Sequence, residues 1–352
     1  MVDVPPQRSW LRRNTILVAC IAVGVLALTY AAVVFTRAMG RTTAVGDTSV
    51  PPGSSTPGIT GPVVGGPSAS ASPSASATPK PTRSKRPGSP QSPPTSFPGP
   101  GNTGPRGVTL TSYSGSCTIT RANTVISGKL VRCGKLLNKA DNLIIRKSKV
   151  VGSIENRGSA DVRIEDTEVD AGTNYEAAVG YENVTMYRSN IHGGETSVNC
   201  HTNCHIQDSW LHGQYIPPGE DWHLDAYLSN GGSNVKLIHN TLACDAKQTN
   251  NGGGCSANAA IFGDFAGNAN YTFERNLFVA STHMPYCTYA GYQTNKPYGQ
   301  QVDNIIYRYN VFQRGSNGNC AEYAAVTSYR QEPGSEFVGN VYDDGTPVKA
   351  SG

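Results

Sequence analysis

Val235-Lys236-Leu237-Ile238-His239-Asn240-Thr241-Leu242, Tyr271-Thr272-Phe273-Glu274-Arg275-Asn276-Leu277-Phe278 and Ile305-Ile306-Tyr307-Arg308-Tyr309-Asn310-Val311-Phe312 are three copies of one phrase. Its form is apolar-x-apolar-x-x-(Asn/Ser/Thr)-x-apolar. Earlier copies are Leu143-Ile145-Ser148-Val150, Val162-Ile164-Thr167-Val169, Val184-Met186-Ser189-Ile191 and Cys204-Ile206-Ser209-Leu211, and a weaker one is Ser335-Phe337-Asn340-Tyr342. Their starts lie 19 to 36 residues apart, the signature of a coil repeat with variable insertions. Apolar residues two apart point to one side of a strand. The polar residue always falls where the chain must turn before the next inward position. Asn tolerates unusual turn dihedrals and hydrogen-bonds the backbone. Stacked coil on coil, such residues form an internal ladder. The reading is all-β: a single-stranded right-handed parallel β-helix. An ordinary β-sandwich would not need the same polar residue at the same phase each time.

Outward from this repeat the chain divides by composition. Residues 1–14 form a short tail carrying Arg8, Arg12 and Arg13. Residues 15–36 contain an uncharged apolar run from Thr15 to Phe35, long enough to span a bilayer, with Trp10 and Tyr30 suited to the two interfaces. No A-x-A site follows, so an uncleaved signal-anchor is expected; the charges of Arg37 and Arg41 after the span leave cleavage as the alternative. Residues 37–106 are dominated by Pro, Ser, Thr, Gly and Ala and read as a disordered tether. Lys80, Arg83, Lys85 and Arg86 cluster within it, more often a solvating element than an anion-binding one. The β-domain is assigned to 107–345, with 346–352 as a C-terminal tail. Gly107–Gly134 is expected to form the first, irregular coil and cap, with a strand, turn and strand over Thr124–Leu130. The net charge of +4 is too small to point to nucleic acid. A monomer is expected.

Cys20 lies in the span, and the other eight cysteines lie in the β-domain. That fits disulfides, and an extracytoplasmic, cell-membrane-tethered location. Coil geometry favours Cys117–Cys133 in the cap, Cys200–Cys204 across a tight turn, Cys244–Cys255 closing an insertion, and Cys287–Cys320 between neighbouring coils. Cys200-His201-Thr202-Asn203-Cys204-His205 also has metal- or haem-like residue types, but Cys204 occupies the inward position of Val162 and Val184, and the haem spacing is one residue too long. A disulfide is the stronger reading, and neither metal nor other cofactor is expected.

The coils and the Asn phrase resemble the pectate-lyase-like right-handed β-helix superfamily over roughly residues 107 to 345. Glu220-Asp221-Trp222-His223-Leu224-Asp225-Ala226-Tyr227 resembles the His-x-Asp-(Gly/Ala) strand of secreted, polysaccharide-active members. The superfamily includes lyases, hydrolases, epimerases and proteins with no catalysis, so the resemblance implies a fold and a polysaccharide partner rather than one reaction.

Simple alternation puts Leu224, Ala226 and Leu228 inward and His223, Asp225 and Tyr227 outward. His223 beside Asp225 is then an acid/base pair in a trough, with Ala177, Ala259, Ala290 and Ala324 as its small neighbours and Glu322 reaching the His223 column. A lyase on an acidic glycan would use His223 as base, Tyr227 as proton donor and Arg275 or Arg308 to neutralise the substrate carboxylate. Asp221, Trp222, Lys236, His239, Tyr292 and Glu322 are expected to bind substrate, with Tyr286, Tyr289, Tyr298 and Tyr323 as further rings for stacking. A hydrolase needs two carboxylates about 5 to 9.5 Å apart, and Asp221 and Asp225 on one strand are ~13 Å apart. The alternatives are a glycoside hydrolase and a non-catalytic glycan-binding surface protein. Charges beside the ladder positions (Arg146, Lys147, Asp166, Arg188, Asp208) have mixed signs, as a solvated face does. Asp-x-Asp-x-Asp clusters are absent, which weakens a calcium-dependent lyase.

Overall fold

A computed structural model describes residues 92–352. The expected tail, membrane span and Cys20, and most of the tether, lie outside these residues; among the described ones no helix is long and apolar enough to cross a membrane. The chain winds through three ladders of parallel strands. The first holds Val179–Glu182, Thr196–Thr202, His223–Ser229, Gly254–Ile261, Tyr286–Ala290 and Ala324–Thr327 in successive coils. The second runs from Val125–Ser127 to Glu336–Val338 as a nine-stranded sheet. The third includes Trp210–Leu211, Thr241–Leu242, Leu277–Phe278 and Val311–Phe312. Lys129–Asn138 and Lys149–Asn156 are long enough to join the first and third ladders at the N-terminal end. This is a parallel β-helix.

The repeated phrase builds the corner between the second and third ladders. Phe273 and Tyr307 point inward and stack at 4.6 Å, as do Phe278 and Phe312 at 4.5 Å. Between them the residue before each ladder position turns left-handed: His239 at φ 53°, Arg275 at 61° and Tyr309 at 56°. Asn240, Asn276 and Asn310 are then wholly buried. The Asn276 carbonyl oxygen accepts the Asn240 backbone N–H at 2.9 Å and its amide at 3.0 Å, while the Asn240 amide also reaches the Ile206 carbonyl. Asn310 and Asn340 repeat the pattern. Ser148, Thr167, Ser189 and Ser209 continue the column, also wholly buried.

A second column of asparagines was not anticipated. Asn183, Asn203, Asn234, Asn270 and Asn304 stand one residue before the second-ladder phrase, all at positive φ. The amides of Asn203, Asn234, Asn270 and Asn304 each donate to the asparagine before, from 2.8 Å for Asn304 to Asn270 to 3.3 Å for Asn270 to Asn234. This column is exposed, so its periodicity lacks the hydrophobic contrast that marks the inner one.

All four disulfides form as spacing and register indicated: Cys117–Cys133, Cys200–Cys204, Cys244–Cys255 and Cys287–Cys320. The cap also matches its expected strand-turn-strand, Val125–Ser127 and Lys129–Asn138 about Gly128 at φ 65°. Two boundaries differ. Ser92–Arg106, placed in the tether by composition, lies on the coils: Thr241 donates to the Pro98 carbonyl at 2.6 Å and the Gly104 N–H to the Arg188 carbonyl at 2.9 Å. Backbone carbonyls made this docking invisible to composition. At the other end, Ala350 bridges Val326 and Val348 is buried, so residues 346–352 cover the last coil.

Candidate functional site

His223–Ser229 is the first-ladder strand on which the acid/base pair was expected, and it does not alternate simply. Leu224 pairs with Cys255 but Asp225 pairs with Ala257, so Ser256 is an extra residue opposite this step. Such an irregularity re-aims the side chains that follow. Tyr227 is therefore inside, fully buried, packed edge-on to Phe273 at 6.2 Å and donating its hydroxyl to the Cys200 carbonyl at 2.6 Å. The expected outward Tyr227 is corrected: its phenol is part of the core. The expected small row also fails. Asp225 is flanked by Thr196 and Ala257, whereas Ala259 pairs with Tyr227, Ala290 with Ile261, and Ala324 with Tyr286.

His223 is exposed at the mouth of a cleft and Asp225 lies in its floor. The main chamber, about 580 Å³, is lined also by Ser256, Phe262, Asp264, Tyr289, Gln293 and Lys296. An adjoining chamber of about 310 Å³ shares His223, Ser256 and Tyr289 and adds His283 and Glu322. His223 thus lines both chambers, with Asp225 in the first and Glu322 in the second. No hydrogen bond joins His223 to Asp225. Asp225 is only 2 % exposed, and its Oδ1 has no hydrogen-bond partner. Burial pushes this carboxyl far above the usual carboxylate range, a backbone hydrogen bond from Ala257 opposes the shift, and the Glu195 charge adds to it. Glu195, on the preceding coil, is itself raised to about 7 by burial. Desolvation acts on both carboxyls by disfavouring the charged form. Burial thus favours the protonated form of Asp225.

The remaining expected groups are elsewhere. Lys236 is exposed on the second ladder. His239 and Arg275 sit at its corner with the third, where His239 bonds Asp208 at 2.6 Å and Arg275 bonds the Ser92 carbonyl at 2.6 Å. Arg308 ends a second-ladder strand and pairs with Glu274 at 2.8 Å. These four belong to another ladder than His223, and none lines its cleft. Asp221 is exposed outside the lining, Trp222 packs edge-on to Tyr175 at 4.9 Å, and Tyr292 lies under Arg330 at 4.7 Å. The cleft's own cation, Lys296, bonds Asp264 at 2.8 Å and lies 5.1 Å from the Phe262 ring centre. Sequence reasoning missed Gln293, Asp264, Lys296 and Glu195. The first three follow strands Gly254–Ile261 and Tyr286–Ala290, in segments where the repeat lapses.

Tyr289 packs at 5.2 Å from Phe262 and 5.3 Å from Tyr286, and Tyr286 at 5.7 Å from the exposed Tyr323, forming an aromatic wall. Burial leads the shift of the Tyr289 phenol to about 12. At Cys200–Cys204, His201 stacks on Tyr181 at 6.0 Å and accepts the Asn230 N–H, so both serve the coil. Among the described residues, Glu168, Asp170 and His192 gather closely enough to hold a metal ion, but the Lys149 ammonium reaches both carboxylates, at 2.8 and 3.3 Å. Comparison of the chain with protein-family models, with curated proteins and with solved structures returns no match.

Proposed function

We propose that the protein is a membrane-tethered, extracytoplasmic enzyme that cleaves a polysaccharide in the His223–Asp225 cleft. The observation that carries this reading is Asp225: a buried carboxyl with one oxygen unpartnered, in the lining of an aromatic-walled cleft, whose burial favours the protonated form. A carboxylic acid in that state suits proton donation to a leaving glycosidic oxygen. His223, two residues away on the same strand, supplies an imidazole as the proton acceptor. In hydrolysis that proton comes from the attacking water, whose oxygen bonds to the anomeric carbon as the glycosidic bond breaks. The lyase assignment has lost its expected donor to the core and its expected neutralisers to another ladder. The resemblance to right-handed pectate-lyase-like β-helices supports a polysaccharide in the cleft, and the four disulfides support an oxidising compartment.

The full-length chain should release reducing ends from a responsive polysaccharide. His223→Ala and Asp225→Asn should each lower turnover by about 10²-fold or more. Activity should fall in alkali as Asp225 ionises, its folded-state proton affinity being raised by burial. An ultraviolet-absorbing unsaturated product would replace hydrolysis by elimination. Binding without turnover would make the protein a tethered glycan receptor.

A further inference from the structure

Two side-chain oxygens in the cleft are buried without a hydrogen-bond partner, Asp225 Oδ1 and Gln293 Oε1. A buried polar atom with no partner is destabilising, and a pair of them lining one cavity marks where a ligand supplies the missing bonds. Their chemistry restricts that ligand. The Gln293 oxygen can only accept, so it needs a donor. The Asp225 carboxyl accepts the Ala257 N–H, and its burial favours the protonated form, which donates as well as accepts. A sugar hydroxyl both donates and accepts, and so satisfies either group. An ionised carboxylate only accepts, and would leave Gln293 Oε1 orphaned.

The charges agree. The lining's one lysine or arginine, Lys296, is already bonded to Asp264 at 2.8 Å. Glu322 adds a further acidic group in the adjoining chamber, whose lining also holds His223 and His283. A uronate arriving here would meet no uncommitted guanidinium or ammonium, and would be desolvated beside carboxylates. Phe262 and Tyr289 in the lining offer ring faces for the apolar side of a sugar instead.

We infer that the cleft takes a neutral, hydroxyl-rich glycan rather than a uronate polymer, with Gln293 as the residue that selects for a donating hydroxyl. This rests on the glycan reading of the cleft and restricts it. It also excludes β-elimination as the chemistry, since elimination needs a carboxylate beside the carbon that loses its proton.

The test is binding of the full-length chain, in detergent, to soluble β-glucan, xylan, mannan and galactan in parallel with polygalacturonate, alginate and hyaluronan. A neutral polymer should bind, and its affinity should hold from about 0.05 M to about 0.5 M salt, because no ion pairs are formed to be screened. Gln293→Leu should weaken that binding about tenfold, as expected for an unmade buried hydrogen bond. Preference for an acidic polymer, lost steeply with salt, would overturn the inference and leave the cleft as a glycan site. Binding to none of the polymers would overturn the inference and the glycan reading together. The salt series uses the unaltered chain, so it decides even if Gln293→Leu does not fold.

Discussion

Asn276 accepts two hydrogen bonds from Asn240 through one oxygen and gives its amide to the Leu237 carbonyl and to Asn310. Leucine at this position would keep the volume and strand the Asn240 N–H and the Leu237 carbonyl in the core. Asn276→Leu should therefore lower unfolding free energy by about 1–3 kcal/mol, read from denaturant titration. That column was legible in the sequence because burial demands the same polar residue at the same phase. Asp225 shows the opposite case. Its position was found from the His-x-Asp spacing, but its burial, at 2 % exposed, comes where the register shifts past Ser256 on the next coil, which no local pattern around Asp225 displays. Its proton affinity is higher folded than unfolded, so ionisation opposes folding as pH rises above the unfolded carboxylate range. Asp225→Asn removes that penalty. Calorimetry should show the variant melting above the parent at neutral pH, with the difference vanishing near about pH 4. A site residue that lowers stability while supporting chemistry is the expected trade-off.

At the scale of elements, the segment Ser92–Gly104 is held to the corner of the coils chiefly through backbone carbonyls. His239 is the telling contact: one ring nitrogen faces Asp208 Oδ1 at 2.6 Å and the other the Ser96 carbonyl at 2.9 Å. Both partners are acceptors, so both ring nitrogens must carry hydrogen and the imidazole is charged. The hydrogen bond to Asp208 leads an upward shift of its pKa, while burial and the Arg275 charge oppose it. Asp208 in turn feels Arg188, and Ser92–Gly104 itself brings no titratable side chain. Because the folded pKa is raised, this contact is fully present below the unfolded value and is lost as pH rises through the folded one. Hydrogen exchange at the Gly104 amide, corrected for intrinsic rate, should speed up across that window, and His239→Gln should remove the step. Protection that stays flat from about pH 5 to about pH 9 would show that the other contacts suffice. Composition failed for this segment because Pro and Ser carry no burial signal, yet every carbonyl remains an acceptor.

In the whole molecule, each coil is stabilised mainly by the coils above and below it, as in other solenoids. The ladders, the stacked rings and the asparagine columns all run along that one direction. Both ends are treated: Cys117–Cys133 braces the first coil, and residues 346–352 lie over the last. Four disulfides in a domain of this kind persist where thiols are not kept reduced. Together with the uncharged run Thr15–Phe35, they lead to a prediction about placement. Trypsin added to intact cells should cut after Arg83 or Lys85, ahead of the coils, because Lys80 and Arg86 each precede a proline, and release the β-domain as one fragment. The fragment should begin within the tether by N-terminal sequencing, and on a gel it should migrate faster without reductant than with it. Release requires that the domain face outward, and the mobility shift requires that its cysteines be paired in the cell rather than after lysis, which alkylation before lysis ensures. Full protection of the chain in intact cells, with digestion only after lysis, would place the domain inside and overturn the extracytoplasmic assignment.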